Sequence, residues 1–190
     1  MKRKTRKNYT DDEDVKRHYL IEWEGMDEDD EEELEDRMDD LWVFQGTVKE
    51  YAEDYANDAG GPMMAFSNSE YYFDYDSFGR DLKMDAALEG GLEEELEDKE
   101  AELEDADDED EAEDIQEEID TLKENIKYYE DMSDDDYGYE YVEMIGGVSE
   151  LPTQTTDSYF DYDKVARDMA IEDVFEFEYK GTTYVAPRHF

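Results

Sequence analysis

Between Glu93 and Asp120, nineteen of 28 residues are Asp or Glu, and between Asp27 and Asp40 eleven of fourteen are. Carboxylates at that density lie closer together than the roughly 8 Å over which physiological salt screens them, so they repel one another within any compact body. The full chain of 190 residues sets 63 acidic side chains against 18 basic ones, a formal charge of -45. It can fold only where apolar clusters between the acidic runs outweigh that repulsion. High net charge with low hydropathy is also a mark of disorder. The aromatic content argues for folded modules instead: sixteen Tyr, eight Phe and two Trp make 14% of the chain, whereas disordered acidic tails are poor in such residues. Tyr suits a charged surface because its ring packs while its hydroxyl stays wet.

Composition leaves little for catalysis. Cysteine is absent, which excludes disulfides and thiolate metal sites, and the two histidines, His18 and His189, stand at opposite ends. No Gly-rich phosphate loop occurs, and acidic pairs are so common that none is informative, so no catalytic residue, cofactor or metal site is expected. Asp131, Ser133 and Asp135 have the opening spacing of a calcium loop, but Asp136 stands where its glycine belongs and Val142 where its bidentate Glu belongs. The basic start from Met1 to Lys7 runs into Asp11–Asp14 with no apolar segment after it, and no stretch approaches the 18 apolar residues of a membrane span. The expectation is a soluble protein in the cytoplasm of a bacterial or archaeal host, with no membrane partner.

Local patterns suggest an α+β fold, elongated, in which small α/β modules with short antiparallel strands flank an acidic helical hairpin. His18–Glu24 and Leu41–Phe44 read as strands, and Asp27–Asp40 between them as a solvated loop or frayed helix. Thr47 is a candidate cap for a helix carrying Val48, Tyr51, Ala52, Tyr55 and Ala56 at helical spacing, ended by Gly60-Gly61-Pro62. Another helix is expected from near Asp74 to Leu82, and Gly90-Gly91 is expected to break the chain. Leu92, Leu96 and Leu103 form one narrow apolar seam, and Ile115, Ile119, Leu122 and Ile126 form a second that is out of frame with it. The mismatch predicts a hairpin turning within residues 105–111; a stutter in one long helix is the alternative. A helix near Asp161–Met169 precedes a hairpin, Val174–Tyr179 and Thr182–Ala186 around Lys180-Gly181. These readings divide the chain into a flexible tail (1–14), an N-terminal α/β module (15–88), the acidic hairpin (89–132) and a C-terminal domain (133–190).

The chain also repeats itself. Tyr72-Phe-Asp-Tyr-Asp-Ser-Phe-Gly-Arg-Asp-Leu82 and Tyr159-Phe-Asp-Tyr-Asp-Lys-Val-Ala-Arg-Asp-Met169 agree, identically or nearly, at eight of eleven positions. A helical segment and a Gly-Gly pair precede each copy, which suggests a duplicated module with the acidic hairpin inserted between the copies. The stretch Tyr141-Val-Glu-Met-Ile-Gly-Gly-Val-Ser-Glu-Leu-Pro152, with Tyr159–Tyr162, Ala166–Met169 and the terminal hairpin, resembles the C-terminal domain of the ArdA antirestriction proteins. Thr47–Leu82 resembles it more weakly. The first forty residues and the hairpin from Leu92 to Met132 depart from that pattern.

The resemblance implies a DNA mimic, carried by a phage or mobile element, that occupies the DNA-binding groove of a type I restriction-modification complex at its methyltransferase and specificity subunits. It also implies a homodimer of elongated acidic subunits that binds no nucleic acid itself. The charge supports mimicry on separate grounds: -45 equals the charge of about 22 base pairs, and carboxylates can replace phosphates before Arg and Lys forks. The expected mimicking surface comprises Asp74, Asp76, Asp81, Asp161, Asp163 and Asp168 in the motif copies. On the hairpin it comprises Glu93, Glu97, Glu100, Glu104, Asp107, Asp108, Glu111, Asp114 and Glu118. Tyr72, Phe73, Tyr75, Arg80, Tyr159, Phe160, Tyr162 and Arg167 are expected to be mainly structural, the arginines pairing with nearby carboxylates. Two other readings remain: inhibition of a different DNA-binding defence protein, or a chaperone-like role on basic, histone-like proteins.

Overall fold

The computed structural model describes residues 8–106 and 108–188. Most of these are helical, with one four-stranded antiparallel sheet, an α+β fold. They form two compact units, one of residues up to 72 together with 161 onward, the other of residues 73–160.

In the first unit the sheet runs in the order β1 (Tyr9–Thr10), β2 (Val43–Gln45), β4 (Thr182–Pro187), β3 (Val174–Tyr179). Strands β3 and β4 are the hairpin expected from the sequence, and Lys180 and Gly181 turn it with positive φ. Side chains alternate across the sheet with period two. On one face Val43, Phe177 and Ala186 join Val15, Tyr19 and Leu20 of α1 (Glu13–Glu22) and Leu34 of α2 (Glu31–Asp40). On the other, Phe44, Val174 and Val185 meet Val48 and Tyr51 of α3 (Val48–Ala59), with Ala166, Met169 and Ala170 of a later helix, Tyr162–Glu172, packed alongside. A short helix, α4 (Pro62–Ala65), follows α3.

Three expectations need correction here. His18–Glu24 is not a strand: it lies mostly within α1, capped by the Asp12 side chain. Its β-branched and aromatic run suggests extension, but the buried set is Val15, Tyr19 and Leu20, spaced by four and one, which only a helix puts on one face. Asp27–Asp40 contains a formed helix, α2, capped by Asp30, with Leu34 fully buried as its anchor. Gly90-Gly91 does not break the chain: the pair forms the first two residues of a helix, Gly90–Asp105.

The second unit contains α5 (Tyr75–Met84), α6 (Gly90–Asp105), α7 (Glu109–Asp131), α8 (Asp134–Ile145) and α9 (Thr153–Ser158). Helices α6 and α7 pack against each other and share ion pairs. Ile115, Ile119, Leu122 and Ile126 are buried along α7, while Leu92, Leu96 and Leu103 of α6 are half-buried. Helices α5 and α8 approach so closely that a Cβ on Gly79 would lie 1.8 Å from the Asp134 carbonyl oxygen, and one on Gly138 2.5 Å from that of Tyr75.

The duplication extends to backbone detail. Helix α3 ends on left-handed Gly60 (φ 96°, ψ 18°) and α8 on left-handed Gly146 (φ 100°, ψ 16°). Gly61 and Gly147 follow, again with positive φ. The second half of each copy is α5 in the first and α10 (Tyr162–Glu172) in the second. These halves are exchanged: α10 packs on α3 in the first unit, and α5 packs on α8 in the second.

Candidate functional site

Each motif copy begins a helix in the same way. The third residue caps it, Asp74 accepting from Ser77 N at 3.0 Å and Asp161 from Lys164 N at 2.9 Å, which satisfies one of the otherwise unpaired amides of the first turn. Phe73 and Phe160 form an antiparallel bridge and are nearly buried, at 6% and 7% exposure. Asp74 N donates to Tyr159 O and Asp161 N to Tyr72 O, both at 2.7 Å.

The half-buried first-position tyrosines reach into the opposite copy. Tyr72 donates its hydroxyl to Asp168 at 2.9 Å, and Tyr159 donates to Asp81 at 2.6 Å. Burial and the Asp168 bond push the Tyr72 hydroxyl up to about 12. The bond to Asp81, then burial, raises that of Tyr159. Loss of the phenol proton would leave two adjacent anions, so the folded form holds that proton more tightly.

The remaining motif residues divide by exposure. Tyr162 is buried, and Tyr75 is half-buried with its ring 5.0 Å from that of Phe73. Arg80 pairs with Asp76 at 2.5 Å and approaches Asp134 at 3.6 Å, while Arg167 donates to the carbonyl oxygen of Asp163 at 3.3 Å. Asp163 accepts from Lys49 of α3 at 2.8 Å, and this bond raises the lysine's pKa. Asp74, Asp76, Asp81, Asp163 and Asp168 are exposed and Asp161 is half-buried. All six therefore make local bonds as well as carrying charge.

The acidic hairpin is different. Glu93, Glu97, Glu100 and Glu104 on α6, and Glu111, Asp114 and Glu118 on α7, are exposed, as is Asp108, the α7 cap, which accepts from Asp110 N. Asp107 lies outside the described residues. Spacings of three and four put Glu93, Glu97, Glu100 and Glu104 in one stripe, and Glu111, Asp114 and Glu118 in another. Lys99 binds Glu118 at 2.7 Å and Glu102 at 2.9 Å, and these bonds hold its pKa above the ordinary lysine value; Lys123 binds Glu100 at 2.8 Å. A few cations thus tie together two helices that carry mainly anions. Among the described residues no cluster of His, Asp and Glu is arranged to hold a metal ion.

Two features had little signal in the sequence. Glu89 is buried at 7% exposure and accepts from Tyr137 at 2.5 Å, while Leu88 N donates to the same hydroxyl. In the first unit Trp42 stacks on Tyr51 beside Tyr55, an aromatic group hinted at only by the four-residue spacing within α3.

These features define a strongly acidic α+β protein built on a duplicated tyrosine and aspartate motif, with an outward-facing carboxylate array. The family model for the antirestriction protein ArdA matches residues 87–184, more than half of the chain, and the chain belongs to that family. The matched stretch takes in the acidic hairpin and the second motif copy and leaves residues 47–82 outside it. Comparison with curated proteins and with solved structures returned no match. No helix among the described residues is long and apolar enough to cross a membrane.

Proposed function

We propose that this protein inhibits a type I restriction-modification enzyme by acting as a DNA mimic, occupying the groove in which the methyltransferase and specificity subunits hold DNA. The α6–α7 hairpin carries the proposal. Nine acidic residues from Glu93 to Asp105 and nine from Asp108 to Asp120 share about 20 Å of hairpin length. That is about one negative charge per 1.1 Å, against one per roughly 1.7 Å in duplex DNA. A surface so dense can release the counterions of a basic groove as DNA does, and the rigid backbone of two packed helices holds it in place beforehand. Charge alone offers no base edges to read, so inhibition is indifferent to the recognition sequence.

The test is a gel-shift competition. Purified protein is titrated into a preformed complex of a type I methyltransferase with DNA bearing its site, and the series is repeated with an enzyme of different specificity. Displacement near one equivalent in both series, weakening steeply as NaCl is raised, is the expected result. A DNA complex that persists through several equivalents at low salt overturns the proposal.

A further inference from the structure

A cavity in the first unit is unused by the mechanism above. Trp42 and Tyr51 stack with centroids 5.1 Å apart and planes 14° from parallel. Tyr55 and Phe66 continue the wall at 5.7 Å from each other, and the cavity they line measures about 450 Å³. Helix α10 lines the same cavity with Asp168 and Glu172, and its C-cap Asp173 lines it too. Glu172 and Asp173 are exposed. No Lys or Arg is among the described residues that line the cavity.

Aromatic faces attract cations through their quadrupole, and the carboxylates reinforce that sign. Stacked rings favour a flat, weakly hydrated cation over a compact, strongly hydrated one, and neighbouring carboxylates suit a fork of N–H donors. A guanidinium meets each condition better than an ammonium. We propose that this cavity receives an arginine side chain from the DNA-binding surface of the target enzyme, with its plane against the aromatic wall and its N–H groups directed to Glu172 and Asp173. The identity of the donor rests on the DNA-mimic reading, which brings an arginine-rich groove against this acidic surface. The carboxylate array would supply long-range attraction, and the cavity a localised anchor of the kind that dominates interface energies.

The experiment uses the full chain with Trp23→Phe, which leaves Trp42 as the sole indole, and N-acetyl-arginine amide as the probe. Titration at low salt is expected to give a saturable change in Trp42 fluorescence, with a dissociation constant on the order of 1–10 mM. The neutral citrulline amide and the lysine amide should each bind at least about fivefold more weakly. The exposed double substitution Glu172→Gln with Asp173→Asn should weaken the arginine amide by about tenfold, with the circular dichroism spectrum unchanged. Equal responses to arginine and lysine amides would mark diffuse attraction to an acidic protein and overturn the proposal, as would a non-saturating response or one blind to the double substitution. No restriction enzyme is present in this titration, so its failure leaves the gel-shift result intact, and the converse holds as well.

Discussion

The hydroxyl of Tyr159 donates to Asp81 at 2.6 Å, joining the first position of the second motif copy to the tenth position of the first. The pair Tyr72 and Asp168, at 2.9 Å, is its counterpart with the copies interchanged. These reciprocal bonds explain why both ends of the motif recur together.

Tyr159→Phe and Tyr72→Phe should each lower stability by about 1 kcal/mol, the usual net value of a solvent-accessible hydrogen bond, read as a lower urea midpoint with unchanged slope. Both substitutions retain Asp81 and Asp168, so displacement of DNA should be unaffected. Asp81→Asn with Asp168→Asn should weaken displacement if those carboxylates belong to the mimicking surface; unchanged displacement would remove them from it.

Gly79→Ala should be among the most damaging single substitutions in the second unit. Its Cβ would sit 1.8 Å from the Asp134 carbonyl oxygen and 2.6 Å from Gly138 N, both backbone atoms, so α5 and α8 must move apart. A cost of about 1–3 kcal/mol follows, or more if the helices cannot separate. Gly91→Ala, with nothing within 4 Å of its Cβ position, should leave the melting temperature unchanged or slightly higher. The second copy carries Ala166 where the first has Gly79; α10 packs on α3, against which Ala166 sits at the edge of the sheet's cluster.

Alkaline pH should unfold the protein over a defined window. Tyr72 and Tyr137 are pushed up to about 12 from an ordinary value of 10.0, both mainly by burial and then by bonds to Asp168 and Glu89, and Tyr19 and Tyr159 are raised as well. Because the folded form holds these protons more tightly, their contribution is complete below pH 10 and is lost as pH rises toward 12. Tyrosinate absorbance followed together with circular dichroism should show these tyrosines ionising only as helix is lost; full titration of all tyrosines near pH 10 with the fold intact would contradict this.

Salt should act in opposite directions on folding and on binding. Screening relieves repulsion among the carboxylates, so the melting temperature should climb between 20 mM and 1 M NaCl. Displacement of DNA should decline steeply over the same range. A melting temperature that falls would show that the ion pairs of Lys99, Lys123 and Lys49 outweigh the repulsion.

Neutralising carboxylates of both hairpin stripes with Glu93→Gln, Glu97→Gln, Glu104→Gln and Glu111→Gln together should weaken displacement by about tenfold, mostly through slower association. All four side chains are exposed, so the melting temperature should hold or rise. Unaltered displacement would move the mimicking surface elsewhere.

Much of this was legible where a local rule had no competitor. The Thr47 cap, the helix starts near Asp74 and Asp161 and the Lys180-Gly181 turn announce their elements, because the chemistry at those points acts over a few residues; the two out-of-frame seams announce helix, with a hairpin or a stutter both open. Tyr19-Leu-Ile-Glu-Trp23 misled because its composition suits a strand, whereas its burial is decided by a sheet whose β3 and β4 come from the far end of the chain. Glu89 looked like one carboxylate among many; only the fold sets it under the Tyr137 hydroxyl. The partnering of Tyr159 with Asp81 had no signal either, since repeat alignment shows which positions correspond and not which copy completes which.

Exchange of the motif halves has a genetic corollary. A gene fragment spanning one repeat would encode α3 with its own α5 instead of α10, or α8 with its own α10 instead of α5. Either fragment would have to close on a helix that its apolar face does not meet in the whole chain, and the α3 face would then receive Gly79 where Ala166 now sits.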